Sequence, residues 1–150
     1  MNSAAPLDDR LPAGFAPLPF AEGFIGHNGP LYLHREKDGP VFGFRVRPSH
    51  CNPMGVCHGG WIATMMDMIL PLTPRVTEPD LAERFMLTVN LSVDYLGGAR
   101  LGTWVEGRAQ ILRRTGRMVF LQGLLEADGE PVARGSGVFR LGPDGAPRLV

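Results

Sequence analysis

Between Phe85 and Leu141 the chain offers four strand-like segments in succession with only turns between them, and this most narrows the folds open to it. Parallel neighbours would need a crossover of about a dozen residues or more, usually a helix. No such segment is present, so these strands must pair antiparallel. The first, FMLTVNLSVDYL, alternates Phe85, Leu87, Val89, Leu91, Val93 and Tyr95 against Met86, Thr88, Asn90, Ser92 and Asp94, the period-two pattern of a strand. The others run over about Leu101–Arg113, Arg117–Ala127 and Pro131–Leu141. They are separated by RRTGR and ADGE, which have hairpin-turn chemistry. Glycines at 107, 123, 135 and 137 are expected to mark bulges or bends.

Upstream, LYLHRE (Leu31–Glu36) and VFGFRVR (Val41–Arg47) flank KDGP and read as a hairpin. Between hairpin and meander lies NPMGVCHGGWIATMMDMIL, where Ile62, Met65, Met66 and Ile69 recur at helical spacing after a glycine pair. Pro71 is expected to end or kink this helix near Leu70. Two strands, one long helix and four more strands make an α+β fold, a helix packed on a curved antiparallel sheet.

A chain of 150 residues, 44% hydrophobic, suits one domain. Residues 1–28, with Pro6, Pro12, Pro17 and Pro19, read as an arm without periodicity, and residues 29–150 as the domain. Lys plus Arg equals Asp plus Glu at 15 each, so no basic field gathers nucleic acid or an anionic membrane. The apolar run Trp61–Leu72 is shorter than the roughly 20 residues of a membrane span. The start of the chain lacks the basic residues and apolar core of a secretory signal. Two cysteines, Cys51 and Cys57, make no disulfide framework and read as reduced cytoplasmic thiols.

From Pro48 to Pro74 the only formally charged side chain is Asp67. The helix around it is apolar almost all round and is expected to be buried on every side. Its acid therefore needs a partner or a function. Asp67 shares its side of the helix with Gly60, Ala63 and Thr64, opposite the Ile62/Met65/Met66/Ile69 face. A structural alternative gives the acid to a backbone group or to Arg108. At the helix start the amides of Gly59 and Gly60 carry the positive end of the dipole and can polarise a carbonyl. Gly59 and Asp67 are eight residues apart, about 12 Å along the axis, too far to act on one carbonyl. A two-fold axis setting two such helices antiparallel would bring Gly59 of one subunit to Asp67 of the other.

The spacing of Asn52, Gly55, His58-Gly59-Gly60 and Asp67, set between a strand pair and a strand meander, resembles the hotdog-fold acyl-CoA thioesterases of the phenylacetate-degradation (PaaI-like) type. The resemblance covers roughly Gly29 to Leu141. It implies a central helix wrapped by a curved sheet, sites at a dimer interface, and a homodimer or homotetramer. It further implies that the Gly59 amide polarises the thioester carbonyl, and that Asp67 is general base or nucleophile. Asn52 would orient the water or the carbonyl, His58 would support the helix terminus, and Thr88 would assist the acid. No cofactor is implied, since coenzyme A belongs to the substrate. For that substrate Arg113, Arg114 and Arg117 are candidate phosphate ligands, Trp61, Met65 and Met68 candidates for an apolar acyl slot, and Gly60 a further candidate substrate contact.

Other readings are a dehydratase or a non-catalytic acyl-CoA binder of the same fold, and a structural domain. A zinc module built on His50, Cys51, Cys57 and His58 is disfavoured because adjacent ligand pairs chelate poorly. No metal is expected.

Overall fold

The computed structural model describes residues 9–149. Residues 1–8, including Pro6 of the expected arm, and Val150 lie outside the described residues. The expected hairpin forms as β2 (Tyr32–Glu36) and β3 (Gly39–Arg45), with Leu33 opposite Phe42. The meander forms as β4 (Arg84–Tyr95), β5 (Trp104–Arg114), β6 (Met118–Ala127) and β7 (Glu130–Asp144). Between β6 and β7, Asp128 (φ 51°) and Gly129 (φ 79°) are both left-handed, the geometry for which an Asp-Gly hairpin is selected. A two-residue strand β1 (Ala16–Pro17) completes a seven-stranded antiparallel sheet of order β1-β2-β3-β5-β6-β7-β4. One margin of the sheet is therefore β4, twelve residues long and, among the described residues, paired on one side only.

The arm is not wholly irregular. Besides β1 it carries a short helix α1 (Gly23–Asn28). It is held because Leu18 is buried and its amide bonds to Leu31, while Phe15 packs edge-on against Trp104.

The long helix α2 (Gly59–Thr77) crosses one face of the sheet and buries Ile62, Met65, Met66, Ile69 and Leu70. Each such side chain contributes about 1.5–3 kcal/mol. The glycines expected to mark bulges or bends lie against this helix. A Cβ on Gly135 would sit 2.5 Å from Met66 Cγ, one on Gly107 2.8 Å from Ile69, and one on Gly137 2.9 Å from Leu70. Gly123 and Gly135 face each other across β6 and β7, so the helix lies in a lane cleared of side chains. The bulges fall elsewhere, at Arg84/Met86, Thr88/Asn90, Ile111/Arg113 and Leu125/Glu126.

Two further expectations are corrected. The helix does not stop near Leu70 but runs through Pro71 and Pro74 to Thr77. Each proline forfeits one helical hydrogen bond, yet Leu72, Thr73, Pro74 and Arg75 are buried, and tertiary packing holds the turn. Thr73 Oγ1 bonds the Ile69 carbonyl at 2.7 Å. Nor is the helix enclosed on every side. Ala63, Thr64 and Asp67 are half-buried and Gly60 is exposed, leaving the small-residue side open. Among the described residues no helix is long and apolar enough to cross a membrane.

Candidate active site

Asp67 stands in the middle of α2, and Thr88 on the sheet margin reaches it. Thr88 Oγ1 donates to Asp67 Oδ1 at 2.7 Å, and the second carboxylate oxygen has no bond among the described residues. The alternative partner Arg108 is elsewhere, paired with Glu36 at 2.9 Å. Asp67 and Thr88 line a cavity of about 360 Å³ walled by Phe20, Met68, Leu72 and Phe85, with Arg75 also in its lining. A wider depression of about 610 Å³ on the sheet is lined by polar side chains such as Gln122, Arg134 and Ser136, and none of the expected site residues reaches it.

The start of α2 is built by His58. Its backbone is extended (φ −64°, ψ 138°), its Nδ1 accepts from the Gly60 amide at 2.9 Å, and its carbonyl accepts from Trp61 and Ile62. The Gly60 amide is thereby consumed, whereas the Gly59 amide has no bond among the described residues. Tyr95 covers this end of the helix. Its hydroxyl donates to the Gly59 carbonyl at 2.9 Å, and its ring lies so close that a Cβ on Gly59 would stand 3.2 Å from Cε1. Tyr95 was not among the residues anticipated.

The other anticipated residues scatter. Asn52 Oδ1 accepts from the amides of Met54 (2.9 Å) and Val56 (3.2 Å), holding its own loop, in which Gly55 is left-handed (φ 71°). Only its Nδ2 is left to meet a ligand. Trp61 is 6% exposed and stacks on His50 at 4.3 Å, turned to the core and absent from the cavity lining. Met68 does line the cavity. Arg114 is engaged by Asp80 (Nη1 to Oδ1, 3.1 Å) and by Glu78 at 3.7 Å, while Arg113 near the end of β5 and Arg117 on the turn to β6 are exposed.

The four residues weighed as zinc ligands have other tasks. His50 uses both ring nitrogens, accepting from Arg47 N at 3.0 Å and facing Asn28 O at 2.6 Å, and Cys51 Sγ donates to the Arg47 carbonyl. Burial pushes the Cys57 thiol up to about 12, with Cys51 adding to the shift. Among the described residues no three His, Cys, Asp or Glu side chains are grouped to hold a metal ion.

A curved antiparallel sheet laid around one long helix is the hotdog fold. Residues 54–134 match the model of the thioesterase superfamily, and the chain belongs to that family. A Pseudomonas aeruginosa protein named "Putative esterase PA0474" is 32% identical over 134 residues, spanning 88% of this chain and 98% of its own. Zebrafish thioesterase superfamily member 2 superposes with a TM-score of 0.65 at 25% identity, over 75% of this chain and 81% of its own. Two more distant structures share the fold. A Bacillus halodurans protein solved with CoA has TM-score 0.66 at 24% identity, over 75% and 74% of the two chains. A mutant of the phenylacetic acid degradation protein PaaI from Thermus thermophilus has TM-score 0.62 at 21% identity, over 78% and 96%. The protein is a thioesterase-type hydrolase.

Proposed function

We propose that the protein hydrolyses an acyl- or aryl-CoA thioester to the free acid and coenzyme A, working in the cytoplasm as a homodimer or a dimer of dimers. The observation that carries this reading is the Asp67–Thr88 pair at a cavity of about 360 Å³, on a helix whose Gly59 amide is unbonded among the described residues. The Bacillus halodurans relative solved with CoA supports the choice of thioester.

In this reading the carbonyl oxygen of the thioester accepts a hydrogen bond from Gly59 of the partner subunit, at the positive end of that helix. Asp67 takes a proton from water as the water oxygen bonds to the carbonyl carbon, and Thr88 fixes the carboxylate. Collapse of the tetrahedral oxyanion breaks the C–S bond. The thiolate leaves, and the proton held by Asp67 returns to sulfur, giving free thiol and acid. If Asp67 attacks directly, an anhydride forms first and water then hydrolyses it. In the same reading His58 keeps the helix start in shape, Asn52 would offer Nδ2 to water or carbonyl, and Arg113 and Arg117, which meet no acid among the described residues, would take phosphate. Coenzyme A enters as part of the substrate, and no separate cofactor is called for.

Assembly is supported by the open margin. β4 leaves backbone groups unpaired along one side, and Phe85, Val89 and Tyr95 are each more than half exposed on it.

The test is thiol release from short, medium, long and aryl acyl-CoAs by wild type and Asp67→Asn. A loss of at least about a hundredfold in a folded variant, the low end of what a positioned acid or base contributes, is expected. Full activity in Asp67→Asn, or binding of coenzyme A without turnover of any thioester, overturns the mechanism in favour of a non-catalytic binder.

A further inference from the structure

The buried polar or charged side chains among the described residues are His50, Thr73 and Arg75, and Arg75 alone carries a permanent charge. Its relative exposure is 9%, yet no carboxylate among the described residues meets it: burial is the one influence that displaces its pKa, downward. Its Nη2 donates to the carbonyls of Ala82 (3.4 Å) and Pro147. Its Nε is buried without a partner, and its Nη1 bonds nothing among the described residues. Other arginines, Arg108, Arg114, Arg134 and Arg148, each meet an acid at the surface. A buried cation without a counter-charge is expensive and calls for an anion.

Arg75 lines the same cavity as Asp67. The two stand eight residues apart on one helix, about 12 Å along its axis. Its Nη2 is engaged beyond the helix end by the carbonyls of Ala82 and Pro147, which leaves Nη1, unbonded among the described residues, for a ligand in the cavity. Between Asp67 and Arg75, Met68 and Leu72 give apolar walls. An acyl group whose carbonyl lies at Asp67 therefore runs along these walls and ends at Arg75.

We propose that Arg75 is a specificity-determining residue that receives a carboxylate at the far end of the acyl group, so that the preferred substrates are CoA thioesters of dicarboxylic acids. This rests on the thioesterase reading and names its substrate class. The apolar stretch suits methylenes or a ring, and the carboxylate supplies both the counter-charge and an acceptor for Nη1.

The experiment compares adipyl-CoA with hexanoyl-CoA, equal in carbon count and differing only at the distal end. Wild type is expected to favour the diacid in kcat/KM by at least about tenfold, because a site with an unpaired polar group rejects the analogue that cannot pair with it. Arg75→Met should erase that ratio by lowering kcat/KM for adipyl-CoA at least about tenfold more than for hexanoyl-CoA, while Arg75→Lys retains part of it. If Arg75 only ties down the Ala82 and Pro147 carbonyls, its loss lowers both substrates in parallel and the ratio stands, which overturns the proposal. Should the variants not fold, thermal shifts of wild type with the non-hydrolysable S-(5-carboxypentyl)-CoA and S-hexyl-CoA decide, and equal shifts overturn it. A carboxylate preference in binding with no turnover sustains the proposal and refutes the hydrolase reading. Turnover without preference does the reverse.

Discussion

Thr88 Oγ1 lies 2.7 Å from Asp67 Oδ1, so the sheet margin and the central helix meet at the one carboxylate of the cavity. A hydrogen bond to a charged group is worth about 1.5–3 kcal/mol. Thr88→Val, which keeps shape and removes the donor, should therefore lower kcat for thioester hydrolysis by about 10- to 100-fold with little change in KM. Steady-state thiol release checks this, and an unchanged kcat would deny Thr88 a part in the reaction.

Charge on the open margin should separate subunits. Val89, 59% exposed on β4, replaced by Lys is expected to convert the oligomer to monomer and to remove activity with it, since the carbonyl would lose Gly59 of the partner subunit. Sedimentation velocity beside the activity assay reads both, and a fully active monomer would refute the shared site.

Filling the lane beneath the helix should cost stability. In Gly135→Ala the new methyl meets Met66 Cγ at 2.5 Å and the Ser92 carbonyl at 3.0 Å, and overpacking of this kind costs about 1–3 kcal/mol. Gly116→Ala, with nothing within 4 Å of the added atom, is the matched control and should unfold with wild type. Urea denaturation of the pair gives the comparison.

His50 should make stability depend on pH. Burial lowers its pKa below the ordinary 6.5, the Asn28 carbonyl opposes this, and the charge of Arg47 adds to the lowering. The Arg47 amide occupies Nδ1 as a donor, so the folded ring is neutral with its proton on Nε2. Above about 6.5 both folded and unfolded chains are neutral there and the contribution is complete. As pH falls below that value the unfolded chain takes up a proton the folded one resists, and stability drops. Tm should fall more steeply on acidification for wild type than for His50→Gln, and parallel curves would refute the assignment.

The thiols should be nearly silent in the native state. With Cys57 pushed up to about 12 and Cys51 raised by its own burial, neither is a ready thiolate near neutral pH. Ellman's reagent should titrate the folded protein slowly and both cysteines at once in guanidinium. Rapid reaction of both in the native protein would contradict the burial.

The meander and the hairpin were legible because alternation and turn chemistry act locally, and Asp67 stood out as a lone charge in an apolar run. Arg75 was hidden by Pro71 and Pro74, which local rules read as a stop while burial of Leu72 and Thr73 carries the helix on. The glycines were visible as missing side chains, but only the folded chain shows that Met66, Ile69 and Leu70 take up the space. Tyr95 was hidden by parity. It sits seven positions after Thr88, which in a regular strand puts the two on opposite faces, yet both contact α2. The bulge between Thr88 and Asn90 adds the residue that changes phase. Beyond it Leu91 and Val93 pack on the core, while Leu87 before it and Val89 within it are exposed.

Because that phase change puts Thr88 at the acid and Tyr95 at the start of the helix, β4 works as a ruler with two fixed marks. The same strand is paired on one side only among the described residues, and in the proposed assembly it is the edge a partner joins. A partner that joins it is measured against both marks in a single docking step, so a slip of one residue would misalign acid and amide together in every copy of the site.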